Sequence, residues 1–390
     1  MQVTQVYELV NETTKEILGQ EAVVNEDLSN LVDIGEQVIN SKAIENFTRT
    51  LVDHIGKVIF VNRKYSGSAP KVLMDGWEYG SILEKIASEM PEATENESWE
   101  LEDGQSYDPN IFYKPKVSAK FFNKRTTFEI DRSFTERQVK SAFSSATQMN
   151  AFLSMLENEV DKSLTVKIDS LVMRTINNMT AQTINAGGTN RVVNLLTMFN
   201  TAYQSQLSSP LTAADAIHTP EFIRYASYIM GLYIKRLGKM STLFNIGGMH
   251  RFTPADKLHI VMLDEFMQSS KIFLQSDTFH DELVALPNAE SVPYWQGSGT
   301  GYAYGSTSSI DVTIEDADAQ DGTGKSRVQQ SNILGVMFDR DALGVANLDR
   351  RVTTNYNPKA EFFNNFYKFD AGYFNDANEN YVVFVASSAS

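Results

Sequence analysis

The segment from Lys116 to Ala186 contains neither glycine nor proline, and this uninterrupted stretch constrains the fold more than any other feature of the chain. Within it, apolar residues recur every three or four positions, the spacing that lines up one face of an α-helix. They are Leu153, Leu156, Val160, Leu164, Ile168 and Leu171. Gly187 and Gly188 follow, and glycine readily adopts the left-handed conformation that ends a helix. We therefore predict one long spine helix that lies on a sheet.

The composition limits the classes of protein to which the chain can belong. Its 49 acidic and 34 basic side chains give a formal charge of −15, which disfavours binding to duplex DNA because phosphate contacts need clustered Lys and Arg. Cysteine is absent, so disulfides and thiolate sites are excluded. The N-terminus lacks the pattern of a signal peptide, and no apolar run approaches the roughly 20 residues of a spanning helix. We expect a protein made in a cytoplasm, with no membrane partner.

The first 61 residues predict a thin helical arm. Leu31, Ile34 and Val38 recur at helical spacing, and a β-branched run follows at 58–61. Such an arm is too small to bury a core of its own, so we expect it to pack on another part of the protein.

Residues 62–130 predict an extended β-flap with oppositely charged limbs. Seven acidic residues lie from Glu89 to Asp103, and the strand that we predict over Tyr113–Phe121 alternates apolar with polar residues, as a half-exposed strand does. The charges have two interpretations: a solvated two-stranded flap, or a contact surface for a neighbouring copy. On the second interpretation, the candidate contact residues are Glu92, Glu95, Glu97, Glu100, Glu102, Asp103, Lys114, Lys116, Lys120, Lys124 and Arg125.

The second half of the chain changes from helices to strands. Residues 190–300 predict a compact mixed region, with one helix that has Thr219 as its N-cap and Pro220 in its first turn, and another possible start at Thr253. Residues 301–390 predict the strands "SSIDVTIE", "SNILGVMF", "RRVTTNYNP" and "NYVVFV".

One stretch suggests a catalytic function. "AQDGTGKS" ends like a phosphate-binding loop at Lys325, and "LHIVMLDE" supplies Asp264 as a possible partner for magnesium, which together would indicate a nucleotide hydrolase. Such a loop requires a helix directly after it, whose amides hold the phosphates. The residues that follow Lys325 read as a strand, and Asp264 precedes the loop in the chain. We therefore favour an acidic turn that joins two strands.

The other motifs of catalysis and metal binding are incomplete. "DADAQDG" resembles the start of a calcium loop, but it lacks glycine at the sixth position and the closing glutamate. The five histidines lack the HExxH spacing, and neither GxSxG nor a GxGxxG after a strand occurs. We predict a structural protein with no catalytic residue, cofactor or metal ion.

The order of these parts resembles the major capsid proteins of tailed bacteriophages with the HK97-type fold. The wording of several segments is similar to one branch of that family: "TTFEIDRSFTERQVKSAFSSATQMNAFLSMLENEV", "STLFNIGGMHRFTPADKLHIVMLDEF", "FLQSDTFHDELVALPNAESVPYWQG", "SNILGVMFDRDALGV" and "RRVTTNYNPKAEFFNNFYKFDAGYFNDANENYVVF". The resemblance implies an α+β fold whose parts follow one another along the chain. They are an N-terminal arm (1–61), an E-loop that forms the β-flap (62–130), a peripheral domain with the spine helix (131–189), an axial domain (190–300), and return strands of the peripheral domain with a last axial strand (301–390).

The resemblance also implies a function. Many copies, arranged as hexamers and pentamers, would form an icosahedral shell around double-stranded DNA without sequence-specific binding. Expected partners are a portal protein and a separate scaffolding protein, since the arm begins almost at Met1. The expected location is the virion, with assembly in the bacterial host cytoplasm. We predict no cross-link through E-loop lysines such as Lys71 and Lys85, and another virion lattice protein remains an alternative.

Overall fold

The computed structural model describes residues 3–19, 25, 30–40, 46, 50, 72–74, 83–88, 90–91, 93, 96, 98, 100–142, 146–275, 289–295, 309–315 and 324–387. The β-branched run at 58–61 and the calcium-like loop at 316–322 lie outside these residues.

The described part of the chain begins with helices, mixes helices and strands in its middle, and ends with consecutive strands. The helices are α1 (Val3–Leu18), α2 (Leu31–Asn40), α3 (Glu136–Ala142), α4 (Ala146–Ala186), α5 (Leu195–Ala202), α6 (Ala213–Ala216), α7 (Pro220–Leu237) and α8 (Asp264–Gln275). The strands are β1 (Leu73–Met74), β2 (Leu83–Ser88), β3 (Val117–Phe122), β4 (Arg125–Thr135), β5 (Val192–Asn194), β6 (Leu258–Leu263), β7 (Ala289–Val292), β8 (Ile310–Glu315), β9 (Lys325–Gln330), β10 (Ile333–Asp339), β11 (Leu343–Asn357), β12 (Phe362–Asn375) and β13 (Tyr381–Val385).

The predicted spine helix is confirmed as α4, which runs for 41 residues. It ends where predicted, because Gly187 and Gly188 adopt φ values of 64° and 95° that other residues rarely take. The sequence predicted one apolar stripe, yet the second half of α4 is buried on nearly all sides by the ribbon strands, β13 and the β8–β9 hairpin. Its buried Thr175 and Thr183 hydroxyls donate to carbonyls four residues earlier, so their burial leaves no unpaired hydroxyl proton.

Strands β4, β11 and β12 form an antiparallel ribbon, to which the short β1 adds in parallel. One face is apolar: Phe128 of β4 stacks on Phe369 of β12 with ring centroids 6.2 Å apart, and both rings join the core around α4. The other face is polar and includes the ion pair of Lys368 with Glu129. The ribbon therefore has the alternation expected of a sheet with one solvated face.

A five-stranded sheet with the order β5-β13-β10-β6-β7 lies between two apolar layers. On β13, Tyr381 and Val383 pack toward α4, whereas Val382 and Phe384 pack toward α5 and α7. Burial on both faces explains why the predicted strand "NYVVFV" is apolar without alternation. Strand β10 pairs between β13 and β6 at the centre of this sheet. Strand β10 thus shares a sheet with strands from residues 190–300, whereas the sequence grouped only the last strand of residues 301–390 with that region.

Two predicted helix starts have different outcomes. Thr219 occupies the N-cap of α7 as predicted, but its hydroxyl donates to the carbonyl of Asp215 and accepts no hydrogen bond from an amide of the first helical turn. The start predicted at Thr253 is wrong, because a turn leads from there directly into β6. The described part of the N-terminal arm contains the helices α1 and α2, as predicted, and α1 packs against α4.

Helix α4 supports the stability of the whole subunit, so a cavity within it should be costly. We expect Leu171→Ala, at a fully buried position, to lower the free energy of unfolding of the unassembled subunit by about 3 kcal/mol. Val166→Ala on the same helix, where the side chain is 49% exposed, should change it by about 0.5 kcal/mol or less. Urea denaturation followed by circular dichroism measures both, and equal losses would contradict the burial assigned to α4.

Candidate inter-subunit surface on the flap

The flap, defined here as β2, β3 and residues 100–116, is built on a two-stranded antiparallel sheet. Lys85 lies directly opposite Lys120, and Ile86 lies directly opposite Ala119. Because opposite residues of an antiparallel pair point to the same side, the sheet has one face with both lysines and one face with Ile86, Val117 and Phe121. We call them the lysine face and the apolar face.

The lysine face lies against the body of the subunit. The Nζ atoms of Lys85 and Lys120 donate to different oxygens of the Asp376 carboxylate, each at 3.0 Å. Next to them, Phe122 of β3 contacts Phe374 of β12 with ring centroids 5.1 Å apart. The attachments of the flap to the body therefore include charge-assisted contacts with Asp376 and an aromatic contact, at the end of the ribbon.

The protonation of Asp376 reflects this environment. Burial by itself would raise the pKa of the Asp376 carboxyl, since it disfavours the charged form. The positive charge of Lys85 and hydrogen bonds from Lys120, Lys85 and the Asn378 amide outweigh burial, so the pKa lies below its ordinary value. The carboxylate is thus held ionised between the two lysines.

The apolar face is exposed in the single chain. Ile86, Val117 and Phe121 are each more than half accessible, although side chains of this kind are usually buried. The segment 100–116 beyond it is exposed along its whole length, and its adjacent Phe112 and Tyr113 are 83% and 81% accessible. Exposed apolar residues that lie close together are common at sites of protein–protein contact, which makes this face a candidate for one.

The residues predicted as contacts divide into three groups. Glu92, Glu95 and Glu97 lie outside the described residues. Lys120 is half-buried and paired with Asp376 of its own chain. The remaining seven are exposed: Glu100, Glu102, Asp103, Lys114, Lys116, Lys124 and Arg125.

The predicted strand differs from the structure in its start and in its faces. Pro115 and the residues before it are not part of β3, which begins at Val117. The alternation of Val117, Ala119 and Phe121 indicated two faces correctly, but the apolar face is the one turned away from the body. The residue that receives the lysines, Asp376, was missed, because nothing in the sequence links it to a segment some 256 positions earlier.

The phosphate-binding interpretation is not supported by the geometry. Lys325 begins β9, where it lies opposite Glu315 of β8, so Gly324 and Lys325 lead into a strand and not into a helix. Asp264 is the first residue of α8. Among the residues that the structure describes, no group of three or more His, Asp or Glu side chains could hold a metal ion. Within the same residues, no helix is both long and apolar enough for a membrane span.

Comparison with known proteins assigns the chain to a family. The family model of the Phi29-like phage major capsid protein matches residues 10–385. The chain belongs to this family. The major capsid protein of Bacillus phage GA-1 is 26% identical over 179 residues, which cover 42% of this chain but only 34% of that relative.

Solved structures confirm the predicted capsid fold. A chain from the capsid structure of Staphylococcus phage Andhra is 10% identical and has a TM-score of 0.54, with 84% of this chain and 86% of that chain covered. A chain from the structure of head fiber and inner core protein gp22 of native bacteriophage P68 is 8% identical and has a TM-score of 0.50, with 82% and 86% covered. The α+β fold of the HK97-type capsid proteins thus persists at very low identity.

The lowered pKa of Asp376 predicts how stability depends on pH. Because the pKa in the folded subunit is below that in the unfolded chain, the contribution is fully present above the ordinary value of about 3.9 and is lost as pH falls through the lowered value. Asp376→Asn should reduce the free energy of unfolding at pH 7 by about 2 kcal/mol, since the partly exposed lysines are screened by water. Denaturant titrations of both proteins from pH 7 to pH 3 should show this difference shrinking, and a constant difference would contradict it.

Lys325 should be dispensable. Lys325→Ala removes an exposed side chain from a strand, so we expect the free energy of unfolding to change by about 0.5 kcal/mol or less. Neither protein should hydrolyse ATP or GTP in a phosphate-release assay. Hydrolysis by the wild type that disappears in Lys325→Ala would overturn the structural interpretation of this turn.

Proposed function

We propose that many copies of this chain assemble into an icosahedral shell that encloses the double-stranded DNA of a phage virion. Membership in the Phi29-like major capsid protein family supports this function. The single observation that carries the proposal is the exposed apolar face of the flap with its tip residues Phe112 and Tyr113, because a subunit that stayed monomeric would leave this surface in water.

Within the shell, we assign the contact function of the flap first to its apolar face. Burial of apolar surface stabilises by about 25 cal/mol per Å², whereas an exposed ion pair contributes only about 0–1 kcal/mol. The exposed charges near the tip, including Glu102, Asp103, Lys114 and Lys116, then fix the register with the neighbouring copy and disfavour wrong pairings. A shell repeats each contact many times, so modest individual contributions are sufficient.

The sheets suggest where the remaining parts lie. We assign the ribbon and α4 to the peripheral domain, and the five-stranded sheet with α5 and α7 to the axial domain that meets its copies at the centres of hexamers and pentamers. The net charge of −15 fits an enclosure that holds DNA without adhering to it. A portal protein and a separate scaffolding protein would take part in assembly in the host cytoplasm.

Electron microscopy of the expressed protein tests shell formation directly. We expect closed shells, with or without coexpressed scaffolding protein from the same phage. Tubes would indicate a different virion lattice protein. A monodisperse monomer under every condition, with the scaffolding protein present, would refute the proposal.

The apolar face can be tested by substitution. We expect the double variant Ile86→Ser and Phe121→Ser to fold normally but to reduce the yield of shells at least tenfold, because both side chains point away from the body of their own subunit. Val32→Ser, which replaces an exposed apolar side chain on α2, is the matched control and should assemble like the wild type. Sedimentation measures the yield, and normal assembly of the double variant would contradict the assignment.

The charges can be tested separately from the apolar face. Exposed pairs are screened over about 8–10 Å at ordinary ionic strength, so a charge contribution should weaken as sodium chloride is raised. We expect the yield of Lys114→Gln with Lys116→Gln to depend less on salt than that of the wild type. Lys120 is left intact in this variant because it binds Asp376 of its own chain. An identical dependence of yield on salt for the variant and the wild type would show that these charges are exposed to solvent and make no contact with another copy.

A further inference from the structure

Two lysines of the flap converge on one carboxylate of the body. The three protons of the Lys85 ammonium are directed at Asp376 Oδ2 at 3.0 Å, Glu379 Oε1 at 3.3 Å and the carbonyl of Asp341 at 2.7 Å. Lys120 reaches Asp376 Oδ1 at 3.0 Å from the neighbouring strand. Every donor of Lys85 thus has an acceptor on the body.

The Asp376 carboxylate offsets a charge repulsion within the flap. Lys85 and Lys120 are directly opposed across β2 and β3, and like charges in this arrangement repel each other. In the described part of the chain, these two strands form a sheet without a third strand. An isolated two-stranded hairpin is marginally stable, so its orientation depends on the few contacts at its base. Only two residues, Asn123 and Lys124, separate β3 from β4.

Asp376 itself is firmly held. Its side chain is only 4% exposed, its amide donates to the carbonyl of Ala342 at 2.7 Å, and its Oδ1 accepts the amide of Asn378 at 3.1 Å. Asp376 directly follows β12 of the ribbon, and the same turn leads into β13 of the five-stranded sheet. One carboxylate therefore lies at the junction of both sheets and receives the flap.

The space around the cluster permits movement. A cavity of about 280 Å³ lies between the flap and this turn, and its lining includes Lys85, Lys120, Arg251 and Glu379. Glu379 also faces Arg251, whose Nε lies 3.3 Å from Oε2. The lysines therefore border a cavity on one side, which leaves room for their side chains to move away from the carboxylate.

We propose that Asp376 is an electrostatic latch that sets the angle at which the flap leaves the subunit. With the latch closed, the flap follows the turn between β12 and β13. With the latch open, the flap pivots at Asn123 and Lys124. Its orientation is then no longer fixed relative to the two sheets of the body. This device belongs to the single subunit and does not depend on shell formation.

Hydrogen–deuterium exchange of the full-length unassembled subunit tests the latch. We expect Asp376→Asn, which keeps the shape and removes the charge, to raise the exchange of amides in β2 and β3 roughly tenfold, as the loss of charge-assisted hydrogen bonds implies. Asp370→Asn is the matched control, because Asp370 lies on the same strand β12 but binds Arg351 and Thr127 of the ribbon. It should leave the exchange of the flap unchanged.

A double-mutant cycle identifies the lysine partner. Lys120→Met should raise the exchange of β2 and β3 in the wild type, but should add nothing in the Asp376→Asn background, because the contact is already broken there. The exchange of amides in β10 and β13 reports whether the body remains folded. If Asp376→Asn also raises the exchange of these amides, the test of the latch rests on Lys120→Met alone. Wild-type exchange in the flap of either single variant, or additive increases in the double variant, would overturn the latch.

Discussion

Helix α4 has almost no side that faces water in its second half, and the other elements of the subunit are arranged around this burial. Between Ile168 and Thr183, the residues that are not fully buried are Arg174, Asn178 and Gln182, which form one line along the helix at intervals of four. The ribbon, the β8–β9 hairpin and β13 cover the remaining sides. A helix that carries polar residues on a buried face depends on internal hydrogen bonds, such as that between Thr180 and Tyr381 at 2.8 Å. The helix therefore aligns both sheets, and neither sheet could bury its inner face without it.

The flap differs from α4 because most of its surface is exposed. Its attachment is ionic and small, and its apolar residues Ile86, Val117 and Phe121 face outward. These outward side chains bury little surface within their own subunit, so we infer that contacts with other copies explain their apolar character. The proposed shell supplies those contacts, and the proposed latch at Asp376 sets the direction in which the flap is presented to them.

Local sequence patterns were sufficient to predict the main helix and several strands. The neighbours of each strand and the orientation of its faces depend on contacts between distant residues. The glycine-free segment and its stripe from Leu153 to Leu171 predicted α4, and Gly187 and Gly188 predicted its end, because both features depend on neighbours within a few turns. The neighbours of strand β10 could not be predicted, since "SNILGVMF" shows that a strand is buried but not which strands flank it. Alternation in β3 likewise revealed two faces, whereas the choice between them depended on Asp376. Residues Lys325 and Asp264 matched a nucleotide-binding motif in sequence alone. The strand that begins at Lys325 does not fit that motif, which requires a helix at this place.

We propose that neighbouring copies in the shell cover the outward surface of the flap. Hydroxyl-radical footprinting of unassembled subunits and of purified shells, read out by mass spectrometry, measures this directly at Phe112 and Phe121, with the buried Phe369 as the low-reactivity reference. We expect both flap residues to be oxidised rapidly in the subunit, and their oxidation to fall toward the level of Phe369 in the shell. Equal oxidation of Phe112 and Phe121 in subunit and shell would contradict it.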